Sequence, residues 1–330
     1  RSDQAETVLF RFLRGAGGAG LAAIRPVTAQ GLVRPLIDIP RAAVLDYLRR
    51  RRLPWREDST NASPEFTRNR IRHQLLPALV RDFNPALEET LAHTADWAFE
   101  EEAYWEAEID RLASQHLRDG ILPAGLIAQL PRAVARRLIR RAIQSAKGDL
   151  RGVAFSHIEQ VLEMAAASDG RGRMQGPGLE VRRSFDWLRF GAPPESRTWR
   201  VPLAVPGHFA LPGEGSTLHL ELKESSEEAN CVYNGVGSCL DWERIGGPLE
   251  LRSWRPGDRY HPVGQTHVER IKVLFQEARV PLWERRNWPV ITCGEEILWT
   301  RRFGPAARFA ARPGSRKLLT VRETSGSADE

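Results

Sequence analysis

Helices first and strands later are what this chain predicts: a helical unit, a second helical unit and a mixed helix-and-strand unit in succession. Three observations lead there. Apolar residues recur at helical spacing from Val8 to Ala165, and alternating apolar and polar residues appear only after Gly170. Charge also changes sign along the chain, which marks separate surfaces. The 330 residues are enough for two or three domains, each with its own core.

The elements follow in order. Val8, Leu9, Phe12 and Leu13 form an apolar stripe at helical spacing, closed by the glycines from Gly15. Left uncovered, that stripe predicts poor solubility for the first 82 residues. Pro40 opens a helix carrying Val44, Leu45 and Leu48, and Ile71, Leu75, Leu76, Leu79 and Val80 form a third apolar face. A long helix is predicted from Pro85 to about Leu117, since Leu87, Leu91, Ala98, Trp105, Ile109 and Leu112 share one side. Pro131 starts another, with Val134, Leu138, Ile139, Ala142 and Ile143 inside and five arginines outside. Ser156 with Glu159 reads as a capping box ahead of Ile158, Val161, Leu162 and Ala165. Beyond Gly170, segments such as Leu218, Leu220 and Leu222 predict strands, with one more helix near Val268–Ala278 carrying Ile271, Leu274 and Phe275. The best cuts fall at residues 83–85 and 191–197, and the polar tail from Thr324 is expected to be disordered.

Composition narrows the function. Lys and Arg number 48 against 42 acids, a net charge of +6, with a mean hydropathy of −0.41. The excess is clustered: residues 1–82 are arginine-rich, 86–118 acidic, and Arg252 to Arg322 basic again. Such clustering suits a polyanionic partner. No apolar run reaches the about 18 residues of a membrane span, so no membrane partner is expected. Three cysteines cannot make a disulfide framework, which fits a reducing, cytoplasmic setting. Cys231 and Cys239 are too far apart for a zinc site, and the histidines are scattered. The chain starts at Arg1 and is read as a fragment.

Gly15-Ala16-Gly17-Gly18-Ala19-Gly20 matches a dinucleotide fingerprint by letter, but a helix precedes it where that fingerprint needs a strand. It is either a helix stop or a turn packed closely against a ligand. Asp3, Glu6 and Thr7 share a face at a helix start. They are ordinary dipole-favoured surface residues or a carboxylate–hydroxyl cluster for Mg²⁺ and phosphate. Asp58-Ser59-Thr60-Asn61 is a side-chain-stabilised turn. Arg68 and Arg72 lie four apart at a helix's first turns, where anions bind, although a solvated basic face is the commoner outcome. Arg255, Arg259, Arg270, Lys272, Arg285 and Arg286, interleaved with Trp254, Tyr260 and Trp283, form a second basic region suited to a phosphate backbone.

These motifs resemble a known family. Asp3-Gln4-Ala5-Glu6-Thr7, Arg14-Gly15-Ala16-Gly17 with Gly20-Leu21, Arg34-Pro35-Leu36, Glu57-Asp58-Ser59-Thr60-Asn61 and Arg68-Asn69-Arg70-Ile71-Arg72 are similar in order and spacing to tRNA(Ile)-lysidine synthetase. Near the other end, Arg255-Pro256-Gly257-Asp258-Arg259, Ile271-Lys272-Val273-Leu274-Phe275 and Val280-Pro281 look like that family's last domain. The resemblance implies an α/β fold at residues 1–84, the C-terminal part of an N-type ATP-pyrophosphatase domain of the adenine nucleotide alpha hydrolase type. After it would come a helical tRNA-binding domain with a long linker helix at 85–195, a small α+β tRNA-binding domain at 196–322 and a disordered tail at 323–330.

The chemistry implied is ATP- and Mg²⁺-dependent. The C2 oxygen of the wobble cytidine in a tRNA(Ile) with a CAU anticodon is adenylated, and free L-lysine then displaces AMP to leave lysidine. By position, Asp3, Arg68, Asn69 and Arg72 would be catalytic, with Asp3 also the metal ligand. Asp3, Glu6, Thr7, Arg14 and Gly15 would hold the nucleotide, and Arg132, Arg136, Arg140, Arg259 and Lys272 the tRNA phosphates. A homodimer is also compatible with the resemblance. The sequence departs from the family in lacking Ser-Gly-Gly-x-Asp-Ser, in having Ser2 where an aspartate is usual, and in having Glu269-Arg270 for part of a lysine pair. Two other expectations stay open: a non-catalytic tRNA-binding remnant without the ATP site, and a related tRNA-thiolating pyrophosphatase. Cys231 and Cys239, both in the C-terminal half, speak against the second.

Overall fold

A computed structural model describes residues 1–28, 31–56, 65–192, 198–212, 215–224 and 237–325. It divides into two compact units, Arg1–Gln115 and His116–Glu330. The division falls at the end of the long helix, so that helix belongs with the first unit and not with the helices after it.

The first unit is helical among its described residues. It comprises α1 (Ser2–Leu13), α2 (Gly18–Leu21), α3 (Arg41–Arg50), α4 (Thr67–Arg70), α5 (Leu76–Asp82) and α6 (Leu87–His116). Gly15, at a φ of +77°, ends the first helix as the sequence predicts. Val8 is buried with Ala23 and Ala95, flanked by Leu21 and Leu91, whereas Phe12 and Leu13 stay exposed. The apolar stripe of α1 is therefore covered at one end only. A five-residue π-helical turn, Ile71–Leu75, joins α4 to α5, and Leu76 N–H reaches the Ile71 carbonyl. Its cause lies just beyond: Pro77 has no N–H to give and its ring crowds the turn before it. The turn rotates Leu75, Leu79 and Val80 to half-buried positions and leaves Ile71 and Leu76 as the buried pair. The turn at Asp58-Ser59-Thr60-Asn61 lies outside the described residues.

The second unit opens with β1 (Ile121–Pro123), α7 (Ala124–Gln129), α8 (Arg132–Lys147), α9 (Phe155–Ala166), β2 (Arg171–Gly176), β3 (Leu179–Ser184) and β4 (Trp187–Phe190). The strands form an antiparallel sheet in the order β1-β4-β3-β2, so the helices of this region rest on a sheet. Leu138, Ile139, Ala142 and Ile143 of α8 are fully buried, as their spacing predicts. The capping box expected at Ser156 and Glu159 is not formed. Helix α9 starts two residues earlier, with Ala154 at the cap position, and His157 Nδ1 accepts from Ala154 N–H at 3.0 Å. Glu159 is drawn away by two arginines of α8.

The remainder comprises β5 (Arg200–Leu203), β6 (Gly207–Ala210), β7 (Ser216–Glu224), β8 (Gly237–Asp241), β9 (Leu249–Ser253), β10 (Arg259–Tyr260), β11 (Glu269–Arg270), α10 (Ile271–Glu277), α11 (Leu282–Arg285), β12 (Pro289–Cys293), β13 (Glu296–Thr300), β14 (Gly304–Pro305) and β15 (Lys317–Ser325). Two larger sheets, ordered β14-β13-β12-β9-β5 and β6-β7-β15-β8, share one core around Leu218, Leu220, Leu240, Leu251, Phe275 and Val290. Residues 323–325, expected to belong to a disordered tail, are instead the end of β15. Glu323, Thr324 and Ser325 pair with Leu218, Thr217 and Ser216, because backbone hydrogen bonding to β7 holds a polar strand that side chains alone would not. Cys239 is disulfide-bonded and Cys293 is a free thiol, so three cysteines supply one bridge at most, short of a framework. Among the described residues no helix is long and apolar enough to cross a membrane.

Candidate functional site

The first turns of α1 meet the start of the α4–α5 helix, and there five of the sequence-picked residues come together. Arg72 is the hub. Its Nε donates to Glu6 Oε1 at 2.6 Å, and its Nη2 donates to Glu6 Oε2 and to Asp3 Oδ1, both at 2.8 Å. Arg68, one turn earlier, places Nη2 3.3 Å from Thr7 Oγ1 and 3.8 Å from Asp3 Oδ1, and Nε 3.5 Å from Glu6 Oε2. Thr7 Oγ1 donates in turn to the Asp3 carbonyl at 2.7 Å. The i, i+3, i+4 spacing of Asp3, Glu6 and Thr7 puts them on one helix face, and the four-residue step from Arg68 to Arg72 does the same opposite.

Exposure grades the network. The Glu6 side chain is 3% exposed and Arg72 21%, while Arg68 is 50% and Asp3 64% exposed. Glu6 and Arg72 thus make an inner ion pair, and Arg68 and Asp3 present opposite charges to solvent beside it. The hydrogen bond to Glu6 holds the Arg72 guanidinium above its ordinary range against the opposing effect of burial, with the Glu6 and Asp3 charges adding to it. Asn69 is buried between the two arginines in sequence and has bonding partners of its own.

Other picked residues stand apart. Arg14 and Gly15 are exposed at the far end of α1, about 16 Å along the helix from Asp3 at 1.5 Å per residue. Arg14 lies over the Phe10 ring at 4.5 Å. Sequence reasoning passed over Gln4 and Arg11. The buried Gln4 exchanges two hydrogen bonds with Ile24, at 3.0 and 2.9 Å. Arg11 Nη1 donates to the Gly20 and Ala23 carbonyls at 3.0 and 2.8 Å, tying the glycine turn to α1. Beside that turn is a cavity of about 310 Å³ lined by Arg11, Ile24, Arg25, Thr28 and Arg34. The available signal was the arginine one helical turn below Thr7, which the glycine motif overshadowed.

Among the described residues no group of three or more His, Cys, Asp or Glu side chains could hold a metal. Mg²⁺ ordinarily takes one or two carboxylates and completes its shell with phosphates and water. The exposed Asp3 carboxylate fits that partial role.

In the second unit, Arg132 Nη2 and Arg136 Nε hold Glu159 at 2.5 and 2.7 Å, and Arg140 is exposed one turn on. Arg259 and Lys272 are exposed on β10 and α10. The Arg255-Pro256-Gly257-Asp258 turn has a structural part to play. Asp258 accepts from Arg255 N–H at 2.7 Å and from both Nη atoms of the buried Arg252, at 2.8 and 2.9 Å. Gly257, at a φ of +101°, permits the turn.

Comparison with known proteins gives this architecture its class. A PP-loop domain profile matches residues 1–79, within the first unit. Profiles described as TilS substrate binding domain and TilS substrate C-terminal domain match residues 122–189 and 249–321. The tRNA(Ile)-lysidine synthase of Solibacter usitatus is 58% identical across 98% of this chain and 76% of its own length. Those of Symbiobacterium thermophilum and Geobacter sulfurreducens are 34% and 35% identical, each across 97% of this chain and 71% and 69% of theirs. The chain belongs to the tRNA(Ile)-lysidine synthase family.

Proposed function

We propose that the protein ligates lysine to C2 of the wobble cytidine of tRNA(Ile) with a CAU anticodon, using ATP and passing through an adenylated cytidine, to give lysidine. The observation that carries this reading is the Asp3–Glu6–Thr7 face held by Arg68 and Arg72 inside the stretch matched as a PP-loop domain. The cytidine oxygen must attack the α-phosphorus while pyrophosphate departs, and the lysine amine must then displace AMP. Both steps build negative charge on phosphate oxygens, which fixed cations offset. Arg68 is half exposed, its shortest bond goes to the neutral Thr7 hydroxyl and its contact with Glu6 is long at 3.5 Å, so it can turn toward a phosphate at small cost while Arg72 keeps Glu6 paired. Arg72 is clamped by Glu6 and acts as the fixed part of the pair, and the buried Asn69, between the two in sequence, would keep both arginines oriented. Asp3 would contact the Mg²⁺ carried in with ATP, a cation that neutralises phosphate charge. Glu6 and Thr7 hold this nucleotide-facing surface in shape, and Arg14 and Gly15 would contact nucleotide from the other end of α1.

The exposed cations Arg140, Arg259 and Lys272, together with Arg132 and Arg136, are the surface proposed for tRNA phosphates, in a cytoplasmic enzyme. The test is incorporation of labelled L-lysine into a tRNA(Ile) transcript by the protein. Arg68→Ala is expected to lower the rate at least 100-fold with little change in melting temperature. A rate within threefold of wild type would remove Arg68 from the chemistry.

A further inference from the structure

Within the second unit, β3 and the segment around α10 and α11 enclose a cavity of about 310 Å³. Arg182, Trp254, Lys272, Trp283, Arg285 and Arg286 line it. Arg285 is the unusual member. It is 7% exposed, and its Nε donates to the Val280 carbonyl at 2.9 Å. Its guanidinium carbon lies 5.5 Å from the Phe185 ring centre and 5.4 Å from that of Phe275. Among the described residues no carboxylate pairs with it, and burial pushes its guanidinium below the ordinary value. Arg189 stands behind, 5.9 Å from the Trp283 ring centre, with its Nε buried and unpartnered. Lys272 and Arg286 at the mouth are exposed and form no ion pair among the described residues, whereas Arg182 is neutralised by Glu180.

A cation kept out of water without a counter-charge is costly, and its position is explained when a ligand brings the charge. The walls say which kind of anion. An indole face takes a flat heterocycle, and stacking of that kind tolerates any base. Ligand pockets begin at about 300 Å³, so the space suits one nucleotide and excludes a duplex.

We propose that this cavity is a single-nucleotide site, which takes one unstacked nucleoside 5′-phosphate with its phosphate toward Arg285, Lys272 and Arg286 and its base against Trp254 and Trp283. The nucleotide comes either from an RNA strand or from solution. The RNA-borne form rests on the tRNA-ligase reading, and the free form does not.

Calorimetric titration of the full chain with inorganic phosphate, cytidine 5′-monophosphate and a single-stranded tetracytidylate tests this. The monophosphate is expected to bind at least tenfold tighter than phosphate. The surface variant Lys272→Glu/Arg286→Glu should weaken it at least tenfold with an unchanged melting temperature. A tetracytidylate at least tenfold tighter than the monophosphate identifies an RNA strand as the source, and equal affinities identify the free nucleotide. Equal binding of phosphate and monophosphate, or undiminished binding by the double variant, overturns the proposal. Lysine incorporation is scored separately. In the unaltered chain, no incorporation with nucleotide binding intact counts against the ligase reading alone, and incorporation without nucleotide binding counts against this cavity alone.

Discussion

Glu6→Gln isolates the inner ion pair, because it keeps the side chain's shape and removes its charge. Glu6 is 3% exposed and receives Arg72 twice, at 2.6 and 2.8 Å. A hydrogen bond to a charged group contributes about 1.5–3 kcal/mol against about 0.5–1.5 for a neutral one, so two such bonds losing about 1 kcal/mol each cost about 2 kcal/mol. Arg72 is left partly buried but keeps Asp3 at 2.8 Å, so the loss stays below the roughly 3–5 kcal/mol of a fully orphaned buried charge. The unit concerned spans Arg1–Gln115. For that size a change of 1 kcal/mol moves the midpoint by roughly 3–6 °C, so a fall of about 6–12 °C is expected. Differential scanning calorimetry of wild type, Glu6→Gln, Arg72→Met and the double variant reads it from the endotherm that the substitutions move. The coupling energy should be about 2 kcal/mol. Additivity within about 0.5 kcal/mol would show the two side chains to be energetically independent and refute the reasoning.

The other expectations concern the second unit. Tyr260→Phe should stabilise it by about 1 kcal/mol in urea unfolding, since the hydroxyl is buried without a partner and its removal restores no water contact; a loss of stability would reveal a bond to the hydroxyl. Asp258→Ala should destabilise by about 3–5 kcal/mol, because it strands Arg252, itself 10% exposed; a near-neutral result would mean that Arg252 finds another acceptor. Arg140→Ala should reduce the slope of log K for tRNA against log salt by about 1 at unchanged helicity, and an unchanged slope removes it from the RNA surface. Glu159 is held below its ordinary pKa of 4.5, first by its hydrogen bond to Arg136. A lowered folded-state value means that this contact's stabilisation is complete above pH 4.5 and is lost as pH falls through the folded value. Arg136 proton shifts followed by NMR from pH 6 to 3 should change only below 4.5, and a change centred near 6 would contradict the pairing.

What the sequence made legible was periodic and local. The stop at Gly15, the start after Pro40, the length of α6 and the apolar side of α8 all come from residues within a few turns of one another. The face of Asp3, Glu6 and Thr7 and the Arg68–Arg72 pair were readable for the same reason. That one would meet the other is a contact across 61 to 69 positions, which the chain's letters carry only through the resemblance to a family. The π turn was hidden because its cause, Pro77, follows the residues it displaces. Glu159 was misread because a capping box and an inter-helix ion pair need the same residue type, and only the partner helix decides between them. The strand β1 is three residues long, too short for alternation to register.

Arginines illustrate where composition stops and geometry begins. The basic runs promise one kind of surface, yet besides the buried Arg285 the chain uses its guanidinium groups in three ways that look alike in sequence. Arg252 and Arg11 are internal ties, satisfied by Asp258 and by the Gly20 and Ala23 carbonyls. Arg132 and Arg136 share Glu159, so any phosphate they take must compete with a carboxylate already in place. Arg68, Arg140 and Arg286 are exposed, and no carboxylate binds them tightly. Desolvation and pairing have already been settled for the first group, half settled for the second and least of all for the third. Anion affinity should therefore follow this order in reverse, with the least-paired arginines carrying the salt dependence and the internal ties carrying stability alone.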